Sequence, residues 1–438
     1  MIITLIITLL LVFFSIKKPM YALAMILQSN LIRALPHVDL SNVDYHDVNP
    51  QSVYFTIVLP YICYFIIFIV HLRKKSLKYV VDFSDTFFLL SIVIMFFYSF
   101  VSSSIVNSIT YFFQYVLIGL PFYYLSKLFL FNIKQDVYEL LKDFFAATIV
   151  IAIIMCLIAL YVANHLDFLD PMYHRRFNIR IARVSVPGVI PLVHAQTIGF
   201  AIVILFCSIY TNGKILKIPK SRKIVYQVLV LMFLVFNLFL ANARGLILST
   251  VVALIIFLVM YPRKISKRVK YILTSITVGA TFYVIKYTNI EALFGRLLNT
   301  FNKGDGSIVQ RNALYDKVIK NITSNPIFGL GTNGFENGYY PHNIFLDYIL
   351  SFGLLGWVLS IALIIVLFYM FFHTVRLKGK HPLIVLLFAL VMYFFIETLF
   401  SFTLWMHKGF YLSIGIFMLC KHLIVTNRIS TISLKQKK

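Results

Sequence analysis

Thirteen apolar runs constrain this chain more than any other feature. They fall at 1–16, 20–36, 53–72, 86–107, 109–131, 144–164, 190–211, 224–241, 245–261, 271–288, 343–372, 382–402 and 410–425. A helical run of about 20 apolar residues matches the hydrocarbon thickness of a bilayer. Lipid offers no partners to backbone N–H and C=O groups, so a chain with this many runs must satisfy them inside helices. The expected fold is all-α: a polytopic transmembrane helix bundle of 12–13 spans, with a large extracytoplasmic loop carrying amphipathic helices. The first two runs are short and Arg33 lies inside the second, so the span count and the side of the N-terminus stay open. Met1 to Ile16 lacks a basic leading region and a small-residue cleavage site, and is read as a retained helix.

Charge then orders the runs. A formal net charge of +24 would point a soluble chain toward nucleic acid. Here 60% of the residues are hydrophobic and the basic ones fall mainly in short loops between apolar runs, so they report membrane orientation instead. The loops 73–78, 132–143, 212–223, 262–270, 374–381 and 426–438 hold 23 Lys and Arg, against 11 in the alternate set. The richer set is expected to face the cytoplasm, with the chain crossing the membrane many times. The expected division is 1–288, an N-terminal transmembrane bundle of about ten spans; 289–342, an extracytoplasmic loop; 343–425, C-terminal transmembrane helices; and 426–438, a cytoplasmic basic tail. Cys63, Cys156, Cys207 and Cys420 lie inside apolar runs and read as structural. No nucleotide-binding loop, metal-ligand spacing or Asp-x-Asp occurs, which disfavours a metal-dependent enzyme that uses sugar nucleotides; no cofactor and no metal site are expected.

The long polar excursion runs from Ser307 to Trp357, straight into an apolar run. Leu314, Tyr315, Val318, Ile319 and Ile322 recur at helical spacing over 307–324, and Asn325-Pro326 ends that helix. Arg311 stands three and four residues before Leu314 and Tyr315, on the edge of the apolar face. Gly329, Gly331 and Gly334 let the chain turn back. Pro341-His342-Asn343 then places an imidazole where the run at Ile344 begins. Elsewhere Arg175, Arg176, Arg180 and Arg183 cluster in the loop 165–189, and Arg244 joins two apolar runs with no room for a loop. A guanidinium suits bidentate phosphate contacts, although the same arginines can touch lipid headgroups or snorkel to them. Glu397, His194, Lys127 and Lys286 are weaker intramembrane candidates.

An arginine on an amphipathic helix, then Asn-Pro-x-x-Gly-x-Gly, then His-Asn and a Gly-x-x-Gly helix resembles the C-terminal half of the O-antigen ligase and O-antigen polymerase family. The resemblance is close over 307–357 and rests on helix layout elsewhere. It departs from the family at Ala243, where Ser-Arg-Gly is common, and at Ser351, where many relatives carry a glutamate.

The resemblance implies a glycosyltransferase acting on a glycan carried by polyprenyl diphosphate, with membrane lipid around it and no nucleic acid. It further implies a chain-length regulator and a flippase of the same pathway as partners. His342 is then expected to be the catalytic base, and Arg183, Arg244, Arg311 and Asn343 the substrate-binding residues, with Arg176, Arg180 and Glu397 as weaker candidates. Asn343 either caps a helix or orients the imidazole. Asp347 lies about 140° round a helix from His342, so a simple pair on one face is not expected. A surface-polysaccharide polymerase, for O-antigen or a capsule-like glycan, is favoured over a ligase. The bias toward Ile, Lys, Phe, Tyr and Asn is common in AT-rich genomes that include many bacteria without lipopolysaccharide. A flippase or transporter is the alternative from another class; it would call for repeats and charged or broken helices at the midplane, whereas the distinctive residues here sit at one face.

Overall fold

The structure is a computed structural model, which describes residues 2–29, 54–71, 77–133, 135–165, 191–211, 215, 222–241, 243–261, 306–335, 340–378 and 381–426. The all-α expectation is met: no strand occurs among the described residues, and five helices are long and apolar enough to cross a membrane. Six further apolar helices are shorter, at 10–17 residues. Arg176, Arg180 and Arg183, the run 271–288 and residues 289–305 lie outside the described residues. Contacts divide the chain into two compact units, Met1–Leu72 with Lys134–Lys303, and Arg73–Ile133 with Gly304–Lys438.

The first unit holds α1 (Ile2–Lys17), α2 (Pro19–Leu27), α3 (Leu59–His71), α7 (Val137–His165), α8 (Pro191–Tyr210), α9 (Arg222–Leu240) and α10 (Arg244–Met260). Only Lys18 separates α1 from α2. Pro19 ends the first helix because it has no N–H to donate, yet it suits the first turn of the second. Ile7, Leu11 and Ser15 form the buried stripe of α1 at i, i+4 spacing, while Leu5, Leu9, Phe13 and Ile16 face outward. Helix α8 is buried almost throughout and packs against α7, α9 and α10. In its interior the Thr197 hydroxyl donates to the Gln28 side-chain oxygen Oε1 at 2.5 Å, and His194 is fully enclosed.

The second unit holds α4 (Phe83–Tyr98), α5 (Ile105–Gln114), α6 (Pro121–Asn132), α11 (Gly306–Ser324), α12 (Ile344–Phe352), α13 (Leu354–Leu377), α14 (Pro382–Thr398) and α15 (Lys408–Val425). A wide π turn, Tyr115–Gly119, joins α5 to α6 without a break. Helix α15 is the centre of this unit, packed between α6 and α14. Helix α13 is apolar on both sides. Leu359, Leu363, Val366, Met370, Thr374 and Leu377 are buried, whereas Trp357, Ile361, Ile365, Phe368 and Phe372 are exposed, as a helix between protein and lipid requires.

Two apolar runs fold differently from the expectation. The run 86–107 is helical only to Tyr98, where serines 99 and 102–104 follow. Ser99 donates back to the Met95 carbonyl at 2.8 Å, one of the local bonds by which serine competes with a continuing helix. The run 343–372 is two helices, not one. Gly353 adopts φ +54°, and the chain turns there from the nine-residue α12 into the 24-residue α13. At about 13 Å, α12 is too short to cross a bilayer.

Lys127 fills an interior position and does not snorkel. Its ammonium lies 2.6 Å from Asp82 and 2.7 Å from Asp85, with the Tyr123 and Tyr79 hydroxyls donating to Asp85 at 2.8 and 2.5 Å. Asp82 and Asp85 also form the capping box of α4, so the ion cluster ties the start of that helix to α6.

Candidate active site

Helix α11 begins and ends close to where its periodicity predicts. Its buried face is Leu314, Val318 and Ile322, which packs on Leu346 and Leu350 of α12 and on Leu330 and Phe335 of the glycine turn. Ile319, expected on that face, is exposed instead. The helix carries Arg311 one turn before Leu314.

The Asn-Pro-x-x-Gly-x-Gly segment has a definite mechanical task. Leu330 N–H donates to the Leu350 carbonyl at 2.8 Å, and Gly331 N–H to the Ser351 carbonyl at 2.9 Å, so the turn closes the C-terminal end of α12. In return Leu354 N–H donates to the Ile327 carbonyl at 3.0 Å. The same turn docks on the end of α4, where Thr332 donates to the Tyr98 and Met95 carbonyls at 3.2 and 3.1 Å. Glycine is required here by space as well as by φ. A Cβ on Gly329 would stand 2.6 Å from the Gly353 nitrogen, and one on Gly331 2.5 Å from the Ser102 nitrogen. Ser351, where many relatives have glutamate, is buried and offers its carbonyl to this joint.

His342 stands at the elbow that leads into α12. Its φ is +55°, a left-handed conformation that costs a non-glycine residue roughly 1–2 kcal/mol. Its half-buried ring lies 4.4 Å from the Tyr340 ring, at an interplanar angle of 59°. Asn343 is the N-cap of α12: its side-chain oxygen accepts from Phe345 N–H at 3.0 Å and Leu346 N–H at 3.2 Å. Its amide nitrogen donates to the Leu399 carbonyl at 3.3 Å. Of the two roles open to Asn343 in the sequence, capping is the one its geometry displays.

Asp347, which helix geometry sets apart from His342 as a same-face partner, has partners of another kind. It is buried in the first turns of α12 and accepts from the Thr403 hydroxyl at 2.9 Å and from the Tyr111 hydroxyl at 3.3 Å. Burial, opposed by those hydrogen bonds, pushes its carboxyl up to about 6. Its one signal in the sequence was an acid in an apolar run, four residues after the cap.

Arg244 is the first residue of α10, in the first unit, and is half-buried. Ala243 before it supplies no side-chain cap, which the serine of Ser-Arg-Gly is chemically able to do. Glu397 is buried in the last turn of α14. The second unit thus brings His342, Asn343, Asp347 and the α11 helix together around one joint, while Arg244 sits at a helix start of its own.

No curated protein and no solved structure matches the chain. Residues 228–361 match a family model described as O-Antigen ligase. The matched segment spans Arg244, α11, the glycine turn, the His342 elbow and the start of α13, and over that segment this multi-pass membrane protein is similar to the O-antigen ligase family.

Proposed function

We propose that the chain is a metal-independent polymerase of a surface polysaccharide, O-antigen or capsule-like, working at the extracytoplasmic face of the bacterial inner membrane. It transfers a growing glycan from polyprenyl diphosphate to a lipid-linked repeat unit. The observation that carries the reading is His342: an imidazole at a left-handed elbow, inside the segment that matches the O-antigen ligase family. The excess of Lys and Arg in one set of loops, 23 against 11 in the alternate set, supports the sidedness.

The chemistry asks for two things. The acceptor hydroxyl has a pKa far above neutral, so a base that is half-deprotonated near working pH is useful, and imidazole is that group. As the hydroxyl oxygen bonds to the anomeric carbon, its proton passes to His342. The bond from that carbon to the phosphate oxygen breaks, and the diphosphate leaves with the electron pair. Guanidinium groups stabilise the charge that gathers there; Arg183, Arg244 and Arg311 are assigned to it, with Arg176 and Arg180 in support. Direct displacement inverts the anomeric centre.

Purified protein in lipid, given a polyprenyl-diphosphate-linked repeat unit without nucleotide or metal, is expected to produce a ladder of products on a gel. His342→Ala should lower turnover by about 10²–10⁴-fold with little change in donor binding. Unchanged turnover in that variant removes His342 from the mechanism. No ladder, with the substrate instead crossing sealed vesicles, replaces the enzyme with a flippase. Transfer only when a core glycan is supplied makes the chain a ligase.

A further inference from the structure

Helix α12 is fastened to the segment between α14 and α15 at two points. Asn343 Nδ2 donates to the Leu399 carbonyl at 3.3 Å. Four residues on, Asp347 Oδ2 accepts from the Thr403 hydroxyl at 2.9 Å. Tyr111 of α5 is the third member: its hydroxyl donates to the same carboxylate oxygen at 3.3 Å, touches the Thr403 hydroxyl, and accepts from Leu404 N–H at 3.2 Å. One buried acceptor therefore joins α5, α12 and the lead into α15.

The fastened turn is the one that His342 precedes. A nine-residue helix is marginal by itself, and a cap fixes only its beginning. A left-handed histidine persists only where its surroundings over-determine it. Asp347 supplies a second fixed point one turn beyond the cap. Its influence also reaches the elbow itself: burial, together with the Asp347 charge, holds the Tyr340 phenol above its usual range, and the Tyr340 ring lies against that of His342.

We propose that Asp347 is a positioning residue for His342, acting through the hydroxyls of Thr403 and Tyr111 to hold the first turn of α12 and the imidazole ahead of it. The inference rests on the reading of His342 as the base. All of the donors named are neutral, so the site needs an acceptor oxygen at position 347 and does not need a charge. Asparagine meets that need and alanine does not.

The test compares Asp347→Ala, Asp347→Asn and Thr403→Val in lipid nanodiscs by two readouts. One is the rate at which diethyl pyrocarbonate modifies His342, followed by peptide mass spectrometry with His422 as the internal control; it requires no substrate. The other is turnover of the lipid-linked repeat unit. Asp347→Ala is expected to raise His342 labelling several-fold, leave His422 labelling unchanged, and lower kcat by about 10²-fold at unchanged KM. Asp347→Asn is expected to restore most of both. If Asp347→Ala does not fold, Thr403→Val is read in its place, with changes of the same sign. Wild-type labelling and kcat in the variant that folds overturn the proposal. So does an Asp347→Asn variant as impaired as alanine, which would assign the role to charge. If His342→Ala keeps full turnover, the reading of His342 as base fails, while the labelling arm still decides whether Asp347 holds its position.

Discussion

Asp347 shows how much a single side chain can be asked to do when its partners come from far along the chain. Tyr111 lies 236 residues before it and Thr403 lies 56 after it. Neither separation leaves a local pattern, so nothing in the sequence announced the cluster. His342, Arg311 and Arg244 stand out as candidates in the sequence for the opposite reason: each interrupts an apolar or amphipathic pattern that makes a polar residue conspicuous. The cost of burying Asp347 has a definite pH signature. Its carboxyl titrates near 6 when folded, against an ordinary value of 3.8. Between about pH 4 and about pH 6 the folded chain therefore binds more protons than the unfolded one, and this group's contribution to stability falls as pH rises through that window. The phenols that face it, Tyr111 and Tyr340, keep their protons throughout this range. Asp347→Asn has no such cost. Its stability relative to the native chain is expected to rise from about pH 4 to about pH 6 and stay level above, as read by unfolding in detergent at stepped pH. A flat difference across the window removes the carboxyl from the titration.

Among the elements, the joint between the glycine turn and α12 carries the most consequence. The sequence displayed the glycines and the apolar run, but not that the run breaks. Hydropathy is the same on either side of Gly353, and hydropathy was what defined the run. The break becomes intelligible from hydrogen bonds. The carbonyls of Leu350 and Ser351 accept from Leu330 and Gly331, each twenty residues earlier, and the turn can come that close only because Gly329 and Gly353 present backbone to backbone. Gly353→Ala is expected to destabilise the second unit in two ways. The left-handed φ alone costs roughly 1–2 kcal/mol, and the added methyl also meets the Ile327 carbonyl. A lower midpoint in detergent unfolding, with freer protease access to the turn, would report this. Native resistance in both would mean that the joint tolerates a side chain and that α12 and α13 are less tightly coupled than the backbone contacts indicate.

For the molecule as a whole, the two stripes of α13 state the governing condition: an apolar surface outside and an apolar core inside. Burial contrast therefore replaces polarity contrast, and the sequence conveys how many helices there are more readily than which way each one faces. Orientation has to come from charge instead. Lys and Arg favour one set of loops by 23 to 11, and in the proposed orientation the turn before α12 lies on the far side from the C-terminal tail. All four cysteines are buried, so the native chain is a quiet background for thiol chemistry. Lys320→Cys puts a thiol on the exposed side of α11, and Thr426→Cys puts one just past the end of α15. In intact spheroplasts a membrane-impermeant maleimide is expected to label position 320 and spare 426, with both reacting once the cells are broken. The reverse pattern would turn the chain over and move His342 to the cytoplasm. Polymerisation of a glycan already carried across the membrane would then have no access to its base, and the proposed function would fall even with the family match intact.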